Sequence, residues 1–197
     1  MNAKQRFLKW IYPLLMKTAG STEKHGRKLT NTTGKQPTQP LYDLDITLNN
    51  GTTLPLASLK GKKVLLVNTA SECGYTGQYT ELQQLADQYK GKLEVIGFPA
   101  NDFKDQEKAN DEEIAQFCTR NFGVQFPLAK KTSVVPGPGQ HPLFAWLSHA
   151  DQNGWNNHPP DWNFSKYLID EQGRLTHYFG PAVSPLGSEV SGAIKTQ

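Results

Sequence analysis

A chain of 197 residues, 37% hydrophobic and 20% charged, is long enough for one buried core, and its two cysteines exclude a secreted cystine-stapled scaffold. The formal charge of +3 is unevenly spread: residues 1–40 hold eight Lys and Arg against one acid, Glu23, whereas residues 41–197 hold thirteen against seventeen. A mildly acidic body argues against nucleic acid as a partner, and no run of about 18 apolar residues offers an ordinary transmembrane helix.

Residues 1–40 read as a basic arm and linker, and residues 41–197 as the folded domain. The apolar stretch Phe7 to Met16 is interrupted by Lys9 and Pro13, and Thr18 to Pro40 is rich in Ser, Thr, Gly, Lys and Gln. Three readings of the arm stand side by side. A degenerate export signal over residues 1–20 has the basic start but a broken apolar centre and no A-x-A site. A membrane-surface helix would group Phe7, Ile11, Leu14 and Leu15 on one face with Trp10 at its edge, weakened by Pro13. The third is a mobile basic arm that touches nothing.

From Leu41 the pattern tightens. Leu41 to Thr47 alternates and Asn49-Asn50-Gly51 marks a turn, so a small hairpin is expected. Lys62 to Asn68 reads as a buried central strand, followed by a loop of small and polar residues, Thr69 to Thr76. Leu82, Leu85, Ala86 and Tyr89 share one helical face, with Gly91 as a stop. Leu93 to Phe98 is a second buried strand ended by Pro99. Asn110 before Asp111, Glu112 and Glu113 is a helix start, and Ile114, Phe117 and Cys118 share that helix's buried face. Pro142 opens another helix. Ser165–Asp170 and Arg174–Phe179 flank a hairpin turn, and Leu186, Val190 and Ile194 suggest a closing helix. The order β-α-β-α then β-β-α predicts an α/β fold, a central mixed sheet flanked by helices.

Cys73 falls between the end of a central strand and the start of a helix, where reactive groups gather in α/β sheets. Helix N-terminal amides there would lower its pKa and favour a thiolate. Position alone leaves this evenly balanced against a buried structural cysteine. Cys118, on an apolar helix face, reads on its own as a small core residue. The five histidines are scattered without metal-ligand spacing, and neither a metal nor a cofactor is expected.

Three segments, taken together, are more specific. Val67-Asn68-Thr69-Ala70-Ser71-Glu72-Cys73-Gly74-Tyr75-Thr76 resembles the V-N-x-A-S-x-C-G-x-T segment around the redox residue of glutathione peroxidases. Gly97-Phe98-Pro99-Ala100-Asn101-Asp102-Phe103 with Gln106-Glu107 resembles the family's G-F-P-C-N-Q-F then Q-E. Trp162-Asn163-Phe164-Ser165-Lys166-Tyr167-Leu168 resembles its W-N-F-x-K-F-L. They occur in family order and the resemblance runs from about Leu41 to the C-terminus; Trp155-Asn156 lacks the following F-x-K pattern.

The resemblance implies a thioredoxin-like fold and reduction of hydroperoxides by Cys73, with Trp162 and Asn163 as N–H donors to sulfur and leaving oxygen. Asp102 stands where the family commonly has Gln. An ionised Asp can only accept, so it turns away, is protonated or acts through water, and Asn101 is an alternative donor. Ala100 replaces a common family cysteine. Segments like Phe117 to Pro127 hold the resolving cysteine in thioredoxin-dependent members, which gives Cys118 that role, with partial unwinding of Asn110–Phe122 during turnover. The short stretch from the His141 helix to Trp162 resembles the monomeric, thioredoxin-using branch and implies an open site. Thioredoxin is therefore the expected reductant, glutathione the runner-up, and a reducing, cytoplasmic setting the best fit for the two-cysteine cycle. The sequence lacks the P-x-x-x-T-x-x-C of peroxiredoxins, Leu66 and Ala70 standing at the Pro and Thr positions, and the C-x-x-C of thioredoxins. A thiol-based redox sensor on the same fold is the remaining alternative.

Overall fold

The computed structural model describes residue 1, residues 3–19 and residues 25–196. Five strands form the main sheet, in the spatial order Lys28–Thr30, Leu175–Phe179, Lys166–Ile169, Lys63–Thr69 and Leu93–Pro99. In chain order these are β1 (Lys28–Thr30), β4 (Lys63–Thr69), β5 (Leu93–Pro99), β6 (Lys166–Ile169) and β7 (Leu175–Phe179). Only β4 and β5 run parallel; β6 pairs antiparallel with β4 and β7, and β1 closes the β7 edge. A two-stranded ribbon, β2 (Asp45–Thr47) with β3 (Thr53–Pro55), lies apart from it.

The strand period of two sorts the apolar residues onto two faces. Leu65 and Val67 of β4, Leu93 and Val95 of β5 and Leu168 of β6 face one core. That core is covered by α2 (Gln78–Gln88), α3 (Asp111–Phe122) and the closing helix Ser188–Lys195. Val64, Leu66, Ile96, Phe98, Tyr167 and Ile169 face the other, covered by α4 (Pro142–Leu147) and the turns at Leu41–Asp43 and Leu56–Leu59. All seven residues of β4 are buried, which is why its centre, Val64-Leu65-Leu66-Val67, reads as a continuous apolar run rather than an alternation. Truncating Leu66, fully buried, to Ala should cost about 2–5 kcal/mol by the usual cavity penalty.

Local chemistry sets the helix ends. Asn110 and Glu113 form a reciprocal capping box at the start of α3, and Gly123 at φ 66° ends it in the left-handed conformation. The hairpin expected at residues 165–179 is present as β6–β7, with an irregularity at Leu168/Ile169.

Within residues 1–40 the structure places more than an arm. Ala3–Ala19 is a helix, α1, continuous through Pro13, and Lys28–Thr30 is the edge strand β1. Helix α1 lies on the domain. The Tyr12 hydroxyl donates to Glu81, Lys4 pairs with Glu72 at 2.7 Å, and Met16 packs on the core. The linker stretch 20–24 lies outside the described residues. No described helix is long and apolar enough to cross a membrane.

Candidate active site

The C-terminal end of β4 delivers the chain into the loop that carries Cys73, five residues before α2 begins. Thr76 folds this loop back on itself. Its hydroxyl accepts from the Cys73 N–H at 3.1 Å and sits 3.0 Å from the Ala70 carbonyl and 2.6 Å from that of Cys73, to one of which it donates. The Tyr75 N–H then points at the Cys73 Sγ, 3.5 Å away.

Asn68 fixes the opposite wall. Its side-chain amide donates to the Trp162 carbonyl at 3.0 Å, and its own carbonyl accepts from the Phe164 N–H at 2.6 Å. Phe164 adopts φ 69°, a conformation that bulky residues rarely take. It is held there by full burial and an edge contact with Tyr79. This kink, just before β6, turns Trp162 and Asn163 towards Cys73, and both side chains favour its thiolate. The Asn163 amide also donates to Gln106 Oε1 at 3.0 Å, and the Gln106 carbonyl accepts from the Glu72 N–H. Gln106 thus ties the cysteine loop to the Trp-Asn loop.

Cys73 is only 1% exposed, and burial is the dominant influence on it. The thiol is pushed up from its ordinary value; the Tyr75 amide, the Trp162 and Asn163 side chains and the Gly74 amide each pull it partly back. The net shift of Cys73 is therefore upward, opposite to the lowering expected from nearby amides: the amides act as expected, but desolvation outweighs them. The donors determine how much of that penalty is offset.

The other residues fall as follows. Cys118 sits in the middle of α3, fully buried in the same apolar cluster as Cys73, and burial pushes its thiol up to about 12. The nearby Tyr79 hydroxyl tempers that shift, although it is buried without a hydrogen bond of normal geometry. Asp102 spends both carboxylate oxygens elsewhere, one accepting from the Ser133 hydroxyl and one from the Val134 N–H, each at 2.8 Å. Asn101 is occupied too, donating to Asp105 and accepting from the Glu107 N–H. Asp102→Ala should therefore leave peroxide reactivity within about threefold while costing about 1–3 kcal/mol of stability for the stranded Val134 N–H, checked by urea melts. Trp155 and Asn156 anchor backbone carbonyls of Leu175 and Leu147. Trp162 is flanked by Phe103, His25 and the Lys104 ammonium.

Asn68, Thr76 and Gln106 were not singled out as site residues by their sequence positions, yet each supports one wall. Their only signal is membership of the first two motifs. Among the described residues, no three of His, Cys, Asp and Glu gather as a metal group.

The sequence profile of the family described as glutathione peroxidase matches residues 41–148. The glutathione peroxidase homolog BsaA of Staphylococcus epidermidis is 44% identical over 148 residues, 75% of this chain and 92% of that protein. The glutathione peroxidase-like peroxiredoxin HYR1 of Saccharomyces cerevisiae is 41% identical over 145 residues, 73% of this chain and 88% of its own length. Among solved structures, Trgpx in its apo form superposes with TM-score 0.60 at 30% identity, covering 81% of this chain and 97% of that one. A DsbF homologue of Corynebacterium diphtheriae, 18% identical at TM-score 0.57 over 85% of this chain and 89% of its own, shares the thioredoxin-like fold alone. A kinked Trp-Asn loop aimed at a buried strand-end thiol, on a chain that matches this family over more than half its length, makes the protein a peroxidase and a member of the glutathione peroxidase family.

Proposed function

We propose that the protein reduces hydrogen peroxide and organic or lipid hydroperoxides through Cys73, resolves the product with Cys118, and is recycled by thioredoxin. The observation that carries this reading is the shared buried cluster of the two cysteines, with N–H donors directed at only one of them. That asymmetry supports these roles: donors favour the thiolate of Cys73, whereas burial favours the protonated thiol of Cys118.

In the cycle, the Cys73 thiolate attacks one peroxide oxygen and the O–O bond breaks. The departing oxygen takes a proton and leaves as water or an alcohol, with its growing charge met by Trp162 and Asn163. Cys118 then attacks the sulfenic sulfur; its proton and the sulfenic hydroxyl leave together as water, and a disulfide forms. A dithiol reduces that bond by thiol–disulfide exchange. Bridging requires Cα atoms within about 7 Å. A cysteine in mid-α3 reaches that position by local unwinding, so amide exchange in residues 111–122 should be faster in the oxidised protein. Thioredoxin as reductant is supported by a second buried cysteine available to resolve. The short segment from α4 to Trp162 supports a monomer.

The test is hydroperoxide-dependent NADPH consumption, coupled separately to thioredoxin with its reductase and to glutathione with its reductase. Turnover with thioredoxin that is lost in both Cys73→Ser and Cys118→Ser is expected. Glutathione turnover that survives Cys118→Ser would return Cys118 to the core. Rapid oxidation of Cys73 without turnover on either reductant would favour a redox sensor.

A further inference from the structure

Helix α1 has two apolar sides, and only one is used. The inner side is seated on the cysteine loop and its surroundings. A Cβ on Gly74 would stand 2.9 Å from the Leu15 side chain, and one on Gly77 would stand 2.5 Å from the Tyr12 ring. The bare glycines are what allow this close approach. Lys9 reaches further, donating to the Asn121 carbonyl at the end of α3 and lying 4.6 Å from the centre of the Phe122 ring. The helix therefore touches both the Cys73 loop and the helix that carries Cys118.

The outer side is apolar and bare. Phe7, Trp10 and Leu14, spaced i, i+3, i+7, are 58%, 77% and 65% exposed. They are the three largest exposures among the exposed large hydrophobic residues described in this chain. Ile11 and Leu15, which the sequence groups with Phe7 and Leu14, are half-buried instead. The body needs them, so the free stripe is Phe7-Trp10-Leu14.

Charge identifies what the stripe meets. Residues 1–19 hold Lys4, Arg6, Lys9 and Lys17 with no acid, while residues 41–197 carry a net −4. An anionic surface attracts the first and repels the second, which orients the molecule with α1 foremost. An aromatic and leucine stripe on a helix of net positive charge is the chemistry of a helix lying in the interface of an anionic bilayer.

We propose that the Phe7-Trp10-Leu14 face of α1 is a docking surface for anionic membranes. The helix uses it without leaving the domain, because the inner face holds the body while the outer face meets lipid. Docking holds the cysteine loop beside the bilayer surface. This goes beyond the peroxidase reading and does not depend on it.

The test is co-sedimentation of the full-length reduced protein with phosphatidylcholine vesicles, with and without about one third phosphatidylserine. Partitioning at least about tenfold stronger onto the anionic vesicles is expected, weakening as salt shortens the Debye length. The triple variant F7S/W10S/L14S should lose at least about tenfold in partitioning and keep its hydrogen peroxide turnover in solution, which also verifies its fold. Brominated acyl chains should quench the fluorescence of the wild type more than that of Trp10→Phe. The proposal is overturned if the full chain ignores anionic vesicles, if the triple variant binds equally, or if the stripe instead makes a dimer in gel filtration that the triple variant disperses. Absent turnover with intact vesicle binding would count against the peroxidase reading alone.

Discussion

Asn163→Ala should slow the reaction of Cys73 with peroxide by about 10- to 100-fold at neutral pH, the scale expected for removing a donor to a charged group in a water-poor site. The Cys73 thiol already lies above its ordinary value because burial disfavours the thiolate. Asn163 is one of the donors that hold it down, so deleting the amide moves the titration further up and leaves less thiolate at pH 7. Trp162→Phe should act in the same direction, since it keeps the ring packed against Phe103 and removes only the indole N–H. Both effects share one readout: the pH profile of Cys73 alkylation shifts to higher pH, and the rate deficit narrows as the medium becomes alkaline. An unchanged profile with a lower rate would mean that these donors act only on the leaving oxygen.

Glu107→Gln should stabilise the protein at pH 8 by about 3 kcal/mol and change little at pH 4, on the scale of 1.36 kcal/mol per pKa unit. Glu107 is 1% exposed, and burial raises its carboxyl from 4.5 to about 7. The Ser71 hydroxyl donates to one oxygen at 2.9 Å and the other has no partner. Lys131 offsets the shift weakly, Glu72 adds to it, and the Tyr79 and Cys118 groups face the same carboxyl. The folded-state pKa is raised, so the folded form keeps its proton longer than the unfolded chain. Stability relative to a neutral isostere therefore falls as pH rises from about 4.5 to about 7 and stays low above it. Gln removes that titration while retaining an acceptor for Ser71. Thermal or urea melts across pH 4–8 measure it directly; parallel curves for the two proteins would place the Glu107 titration elsewhere.

Much of the fold was legible because the residues that build it act locally. The runs in β4 and β5 are long, apolar and bounded, and Asn110 with Glu113 announces α3 within four residues. The edge strand β1 was not legible. Lys28-Leu29-Thr30 has no pattern of its own and becomes a strand because β7 offers an open edge. Helix α1 was obscured by Pro13, which removes one backbone bond; the contacts of Tyr12, Leu15 and Met16 with the body compensate for that loss. At the site, Cys73, Trp162 and Asn163 could be read from motifs, whereas Asn68 and Gln106 act across 94 and 57 residues of sequence. The sign of the Cys73 shift was hidden for a related reason: local amides are written in the loop, but burial comes from α1, α2 and the rest of the core packed around it.

The two-cysteine cycle is tested most directly by treating the reduced protein with one equivalent of hydrogen peroxide, quenching free thiols and mapping its peptides. A Cys73–Cys118 disulfide is expected as the main product, absent from Cys73→Ser, with Cys118→Ser accumulating a sulfenic acid at Cys73. Sulfenic acid persisting at Cys73 in the wild type, with Cys118 still free, would contradict the cycle.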